Sequence, residues 1–425
     1  MKTYKFILSL AFIIAFSLQS IQAQEQILSL EQAKTLARKN NKNTKIAIQN
    51  IEAAKAAKAS AYTSDKPFVD ASAMGIHVGE PLSALLPENQ ASASLGVTQV
   101  IYAGGKINTV KKISTTAVDL YSSQKELTEA EVILDVETTY WQIINVSAKV
   151  DLATKYQELL TALLQDLTNA FDAGLIYKND VLQVQVQLNQ AALDLITAND
   201  NLSILKLRMA QLIGLENSNF IVDENLDDNT ILSDKINANE AVAKRPEIKM
   251  LTNAVEIESL QAKVLESDRK PTISFNVSGL YAAGDQINFT DASNDFTSYY
   301  GMLNVNIPVF DWGSRKQKVK EQNFKTEAKQ LELEDTQELI IIQIENAYLE
   351  LQQAIKRVEV TKESLAQADE NLRLYQDRFD AGTVVGKDVL EAQVLWQQAY
   401  SEVIDAKAVQ QISKANYKKA IGELK

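Results

Sequence analysis

The stretch FDAGLIYKNDVLQVQVQL, Phe171 to Leu188, returns later in the chain as FDAGTVVGKDVLEAQVLW, Phe379 to Trp396. Nine of the 18 positions agree at a constant offset of 208 residues. The same offset sets LGVTQVIYAGGK, from Leu95, against LNVNIPVFDWGS, from Leu303, and LIG at Leu212 against AIG at Ala420. A single register held over more than a hundred residues marks a duplication, and an internal repeat decides the fold before any local reading does. Upstream the offset falls to 204, matching Lys66-Pro67 to Lys270-Pro271. Four residues are therefore inserted among the strand signals of the second copy.

Each copy reads alike. It opens with a helix rich in Ala, Lys and Glu, expected over Leu30 to Tyr62 in the first copy and Asn239 to Ser267 in the second. Lys-Pro ends that helix, because proline disfavours helix in the residue before it. Two strand signals follow. In the second copy Ile273, Phe275, Val277 and Gly279 alternate with Thr272, Ser274, Asn276 and Ser278, and Leu303, Val305 and Ile307 alternate with Asn304 and Asn306. Period two over about ten residues suits a strand with one wet and one greasy face. The first copy repeats this more weakly in FVDASAMGIHV and ASASLGVTQVIY.

Long helices come next. Lys106 to Ala173 and Ser314 to Ala381 are each 68 residues free of glycine and proline, the two strongest helix breakers. Ile344, Tyr348, Leu351, Ile355 and Val358, then Leu365, Leu372, Tyr375 and Phe379, keep a stride of three and four, the stripe of a coiled coil. At 1.5 Å per residue such a run reaches roughly 100 Å. Both runs stop at Ala-Gly and restart near Asp180 and Asp388.

The chain opens with Lys2 and Lys5, an apolar run from Phe6 to Leu18, and a small Ala23. That is the pattern of a secretory signal peptide over residues 1–23, too short in its apolar part to span a bilayer. Nothing later resembles a transmembrane helix, so any membrane entry must use β-strands. Cysteine is absent, which excludes disulfides, thiolate metal sites and a lipidated cysteine. The net charge of −12, with no basic cluster, argues against nucleic-acid binding. A lone His77 cannot build a histidine metal site, and no GxSxG or phosphate-binding glycine loop appears. The chain reads as a non-enzyme without a cofactor.

Four strands cannot close a membrane barrel, since the smallest need about eight. Open edges in lipid would leave backbone groups unpaired at several kcal/mol each. Closure therefore calls for several chains. Three would give twelve strands, with the attached helices packed side by side as a second, helical barrel.

At this point the chain resembles the TolC-like outer-membrane efflux proteins. Their strand-to-helix junction is matched by IYAGG (Ile101 to Gly105) and VFDWG (Val309 to Gly313), and their hairpin tip by FDAG followed by Asp180-Val181 and Asp388-Val389. The match spans essentially the whole chain after the signal segment. It implies a mainly α fold with a small membrane β-barrel contribution: long α-helical hairpins forming a trimeric α-barrel, and four strands per chain in a shared 12-stranded barrel. It also implies repeats at 24–220 and 239–425 joined by a linker at 221–238, a homotrimer in outer-membrane lipid, and an adaptor protein and inner-membrane transporter as partners. The expected function is the outer-membrane channel of a tripartite efflux or type I secretion system. A periplasmic adaptor or coiled-coil scaffold is the alternative, although neither explains a duplication with two strand pairs.

Among single residues, Gly174 and Gly382 fit helix C-cap glycines with positive φ. By resemblance, these two with Leu175, Ile176, Thr383 and Val384 would meet an adaptor hairpin. Asp180-x-x-Gln183 and Asp388-x-x-Glu391 fit capping boxes. By resemblance, Asp388 and Glu391, with Asp180 as their counterpart in the first copy, would line a periplasmic constriction, and one carboxylate can serve both purposes. Gly104, Gly105, Trp312 and Gly313 mark the strand-to-helix junctions. Tyr281, Tyr299, Tyr300, Phe310 and Trp312 suit an interfacial aromatic belt, or ordinary core packing. The family's tyrosine and arginine latch positions hold Phe379 and Val384 here, which calls for a different closure.

Overall fold

The structure is a computed structural model that describes residues 26–223, 235–288 and 290–424. The expected signal segment and the middle of the expected linker, residues 224–234, lie outside the described residues. In chain order the strands are β1 (Gln26–Leu28), β2 (Phe68–His77), β3 (Asn89–Ala103), β4 (Phe220–Val222), β5 (Thr272–Gly284) and β6 (Asp295–Asn306). The helices are α1 (Leu30–Asn40), α2 (Lys42–Ala61), α3 (Lys106–Asp172), α4 (Lys178–Ile213), α5 (Ala238–Lys244), α6 (Pro246–Ser267), α7 (Ser314–Asp380) and α8 (Gly386–Ala420). The two 67-residue helices α3 and α7 fill the stretches that lack glycine and proline. Among the described residues no helix is long and apolar enough to cross a membrane.

The chain divides into two compact units. One holds the described residues of Ile46–Leu127 and Arg245–Leu339. Its centre is a four-stranded antiparallel sheet in the order β2-β3-β5-β6. The β3–β5 pairing joins the strand pairs of the two copies, with Val97 opposite Val277 and Leu95 opposite Gly279. Strands of 10 to 15 residues meet the roughly 9–11 residues that a tilted strand needs to cross a bilayer. The exposure of the two faces is inverted relative to a soluble sheet. Val277, on the apolar face, is 40% exposed, whereas Ser278 beside it is 6% exposed. On the polar face side chains bond across strands: Asn276 Nδ2 donates to Thr98 Oγ1 at 2.8 Å, and the Ser72 and Ser94 hydroxyls meet at 2.8 Å. An apolar face turned outward and a polar face bonded to itself is the arrangement that lipid selects.

The other unit holds the described residues up to Lys45, of Thr128–Lys244 and of Ile340–Lys425. Along α7 the buried residues Ile340, Ile344, Ala347, Leu351, Ala354 and Val358 keep an alternating spacing of four and three, the a/d seam of a coiled coil. A second core gathers Val136, Tyr140, Ile143 and Met209 around β1 and β4, which pair in parallel. The Tyr140 hydroxyl donates to the carbonyls of Leu28, at 3.3 Å, and Asp223, at 2.9 Å, tying the ends of both strands. Burial, helped by the nearby Asp223 charge, pushes the Tyr140 phenol up to about 12.

Two helices expected to be continuous are broken, and at equivalent places. The first breaks at Asn41, whose side-chain amide caps the free carbonyl of Leu212 at 2.9 Å and whose Oδ1 accepts from the Asn43 N–H at 2.8 Å. The second breaks before Pro246, which occupies the first position of α6. There a missing N–H does no harm and the residue before it is pushed out of the helical region. The duplication also appears in packing. Asn40 lies against Gly214, 2.6 Å from where a Cβ would stand, and Lys244 lies against Gly422 in the second copy.

Candidate functional site

Both hairpin tips lie in the unit that contains the coiled-coil seam. In each, a glycine ends the outgoing helix. The Gly174 N–H donates to Phe171 O at 2.8 Å and the Leu175 N–H to Ala170 O at 2.9 Å. Gly382 repeats this toward Phe379 O, at 2.9 Å, and Thr383 toward Arg378 O, also 2.9 Å. With φ of +75° and +67°, both glycines close Schellman motifs, for which the missing Cβ suffices. Nothing lies within 4 Å of either missing Cβ, so the backbone of both tips is bare.

The two tips of one chain meet. Leu160, Leu163, Leu167 and Val184 of the first hairpin form an apolar cluster with Val389 of the second, and Phe379 and Leu390 pack on its flank. Phe379, lacking a hydroxyl, thus acts as an apolar side chain. At the centre Gly386 abuts Leu167, whose Cδ2 stands 2.5 Å from where a Cβ would be. Gly386 was not among the residues singled out from sequence. Its signal was an asymmetry, a glycine at a helix start where the first copy has Lys178.

The acids sit differently from the capping-box expectation. The helices begin two residues earlier than expected, so Asp180 and Asp388 occupy their third positions rather than the caps. Val385 has no side-chain acceptor to cap α8. Only the reciprocal half of a box forms, with the Val385 N–H donating to Asp388 Oδ2 at 3.2 Å. Asp180 accepts from Asn179 Nδ2 at 3.3 Å. Glu391 is exposed and lies 3.5 Å from Lys387. Asp388 and Glu391 are three apart on α8, hence on one helix face. Of the expected tip residues, Leu175 and Thr383 are exposed and Ile176 turns into the cluster. Tyr177 and Val385 add exposed apolar surface that the sequence reading passed over.

The strand-to-helix junctions belong to the sheet unit. Gly104, Gly105, Trp312 and Gly313 all have positive φ, from +56° to +95°. At Gly104 a Cβ would stand 2.8 Å from both Ser267 O and Lys270 Cβ, so backbone approach as well as dihedral demands glycine. Gly104→Ala is expected to cost about 1–3 kcal/mol, read as a lowered melting temperature. Gly105→Ala, with nothing within 4 Å, should show a smaller drop. In the second copy Asp311 caps α7, accepting from the N–H groups of Gly313 and Arg315 at 3.0 Å each and from Arg315 Nη1 at 3.1 Å. The Arg315 N–H above all, then that of Gly313 and the guanidinium charge, hold its carboxyl below the usual range.

A lipid-facing sheet with open edges, joined to two long coiled-coil hairpins in a duplicated chain, defines a subunit of an outer-membrane duct. The chain belongs to the outer membrane efflux protein family, whose model matches residues 33–215 and 237–423. It is 22% identical to the outer membrane protein TolC of Escherichia coli K12 over 356 residues, covering 79% of this chain and 70% of TolC. A membrane protein of Pseudomonas aeruginosa shares the fold with a TM-score of 0.82 at 15% identity, covering 92% of this chain and 93% of the other. The CmeC outer membrane channel of Campylobacter jejuni does so at 0.78 and 20% identity, covering 93% and 85%. The protein is an outer-membrane channel of a tripartite efflux system that extends into the periplasm. Its family is one of transport proteins rather than enzymes.

Proposed function

We propose that the channel is a homotrimer in which three copies of the β2-β3-β5-β6 sheet close a twelve-stranded barrel and the hairpins close a helical barrel below it. The observation that supports this is the four-stranded sheet with its unpaired edges at β2 and β6 and its exposed apolar face. A lone copy could not satisfy those edges in lipid. In this reading residues 24–220 and 239–425 are the two repeats, 221–238 links them, and residues 1–23 are cleaved. Tyr281, Tyr299, Tyr300, Phe310 and Trp312, all exposed, contribute an aromatic belt. Light scattering of the detergent-extracted protein tests the assembly, and a stable, freely dissolved monomer would sink it.

The hairpin tips form the periplasmic mouth. Gly174, Leu175, Gly382 and Thr383 receive the hairpin of a periplasmic adaptor, which links the duct to an inner-membrane transporter. Asp388 and Glu391 from three chains present two rings of carboxylates, with Asp180 nearby, and such rings favour cations at a narrow mouth. Replacing Asp388 by Asn together with Glu391 by Gln is expected to lower cation preference in planar bilayers about twofold or more. Unchanged conductance and ion preference would remove the acid rings from the proposal. Small molecules, metal ions and secreted proteins all suit a duct of this kind.

A further inference from the structure

The start of α7 is basic, although the protein carries a formal net charge of −12. Arg315, Lys316, Lys318 and Lys320 fall in its first two turns, and no acid lies in the first. A helix start favours anions and disfavours cations, so these charges do nothing for α7 itself. Beside them, within the sheet unit, lies a cavity of about 350 Å³. Its charged lining is Lys270, Arg315 and Lys318 against Asp268, with Thr272 and Asn306 contributing polar strand ends. The acids nearby are already answered, Asp268 by Lys106 at 2.9 Å and Asp311 by Arg315 at 3.1 Å. Lys270 Nζ donates to Gly104 O at 3.2 Å, which orients the ammonium without neutralising it. Lys318 makes no ion pair among the described residues. The lining is therefore left with an excess of positive charge and no internal anion to match it.

Position narrows what that anion is. Thr272 opens β5 and pairs with Asn306, which closes β6. The cavity thus sits where the lipid-facing sheet ends and the chain passes into the periplasmic helix. Immediately beyond Pro308 come Val309, Phe310 and Trp312, all strongly exposed. The Trp312 indole is 91% exposed and meets the Phe310 ring edge-on at 4.9 Å. It is carried on a backbone of φ +56°, where the first copy has Gly104. A bulky residue held at positive φ is unusual, and tryptophan is favoured at the bilayer boundary.

We propose that this cavity binds the phosphate of an anionic phospholipid from the periplasmic leaflet of the outer membrane, with Lys270, Arg315 and Lys318 around the headgroup and Phe310 and Trp312 beside the glycerol and upper acyl region. Basic pockets at a membrane boundary recognise anionic headgroups in this way. The site rests on the reading of β5 and β6 as part of a membrane wall. It is tested on protein extracted from the outer membrane in mild non-ionic detergent, by native mass spectrometry with added phosphatidylglycerol or phosphatidylethanolamine. The wild type should retain phosphatidylglycerol preferentially. Arg315→Gln with Lys318→Gln should weaken that retention roughly tenfold or more, while Lys316→Gln with Lys320→Gln, outside the lining, should leave it intact. Equal retention of the two lipids, or an unaffected Arg315/Lys318 variant, overturns the site. Displacement of the lipid by millimolar inorganic phosphate, but not by chloride at equal ionic strength, would show a free-phosphate site and overturn the lipid assignment. The same spectra report oligomer mass. A trimer without selective lipid overturns this site alone, whereas a monomer overturns the shared barrel as well.

Discussion

Replacing Lys34 by methionine is expected to destabilise the protein by about 3–5 kcal/mol, because removing one partner of a buried pair leaves the other charge uncompensated. Lys34 on α1 and Glu137 on α3 are 7% and 6% exposed, and their ion pair measures 2.5 Å. Glu31 also reaches Lys34, at 3.0 Å, but it is a second acid and cannot relieve Glu137. Thermal unfolding followed by loss of helical circular dichroism reads the effect. Adding Glu137→Leu to Lys34→Met should recover much of the loss, since an apolar pair of similar volume avoids the desolvation of both charges. A single variant as stable as the wild type would show that the pair is solvated. The pH dependence has a definite sign. Burial pulls the Lys34 ammonium down, but the hydrogen bond and charge of Glu137 outweigh it and the net shift is upward from 10.5. For a group raised on folding, the stabilisation is complete below the unfolded value and is lost as pH climbs through the folded one. The gap between wild type and variant should therefore be constant through neutral pH and narrow only above about 10.5.

How much of this was legible in the sequence follows from the range of the interactions. Helix length was readable because glycine and proline act locally, and the ends of α3 and α7 fall within a residue of the uninterrupted stretches. The inverted faces of β5 were readable because alternation has period two. The glycines at 174 and 382 were readable because a positive φ leaves a composition signal. Contacts between distant segments were not. Asn41 looks like any polar residue in a helical run, and only its partner, the Leu212 carbonyl 171 residues away, explains the break there. Pro246 was visible in the sequence and should have ended the preceding helix. The acids at 180 and 388 carried a capping signature, but that signature fixes a helix start only to within a turn, and the register came out two residues away. Lys34 and Glu137 show no pattern at all, since each is one charge among many until folding buries both. The basic run at 315–320 could be read as a solvated helix face until the cavity beside it located the excess charge at the end of the sheet.

Gly386→Leu is expected to separate the tips that the wild type holds together. A Cβ at Gly386 would stand 2.5 Å from Leu167 Cδ2 and 2.9 Å from Cδ1, and Leu167 is itself fully buried among Leu163, Val184 and Val389. Its isobutyl group therefore has no empty space to swing into, and overpacking of this kind costs about 1–3 kcal/mol. Two responses can relieve the strain: rearrangement inside the first hairpin, or movement of α8 away from α3 and α4. The second disturbs fewer side chains, because the contact lies at the free ends of the hairpins, where only Val389, Leu390 and Phe379 oppose separation. If the tips form the periplasmic mouth as proposed, the variant should show raised conductance in planar bilayers together with a lower melting temperature. Leu167→Ala in the same chain should reverse both, since the vacated volume accepts the new side chain. Raised conductance that survives Leu167→Ala would place the cause elsewhere. Unchanged conductance with normal stability would mean that Gly386 and Leu167 do not touch in the membrane. An apolar joint of this kind is also insensitive to salt, unlike a mouth latched by charged side chains. Resting conductance, corrected for bulk conductivity, should therefore stay flat as ionic strength rises.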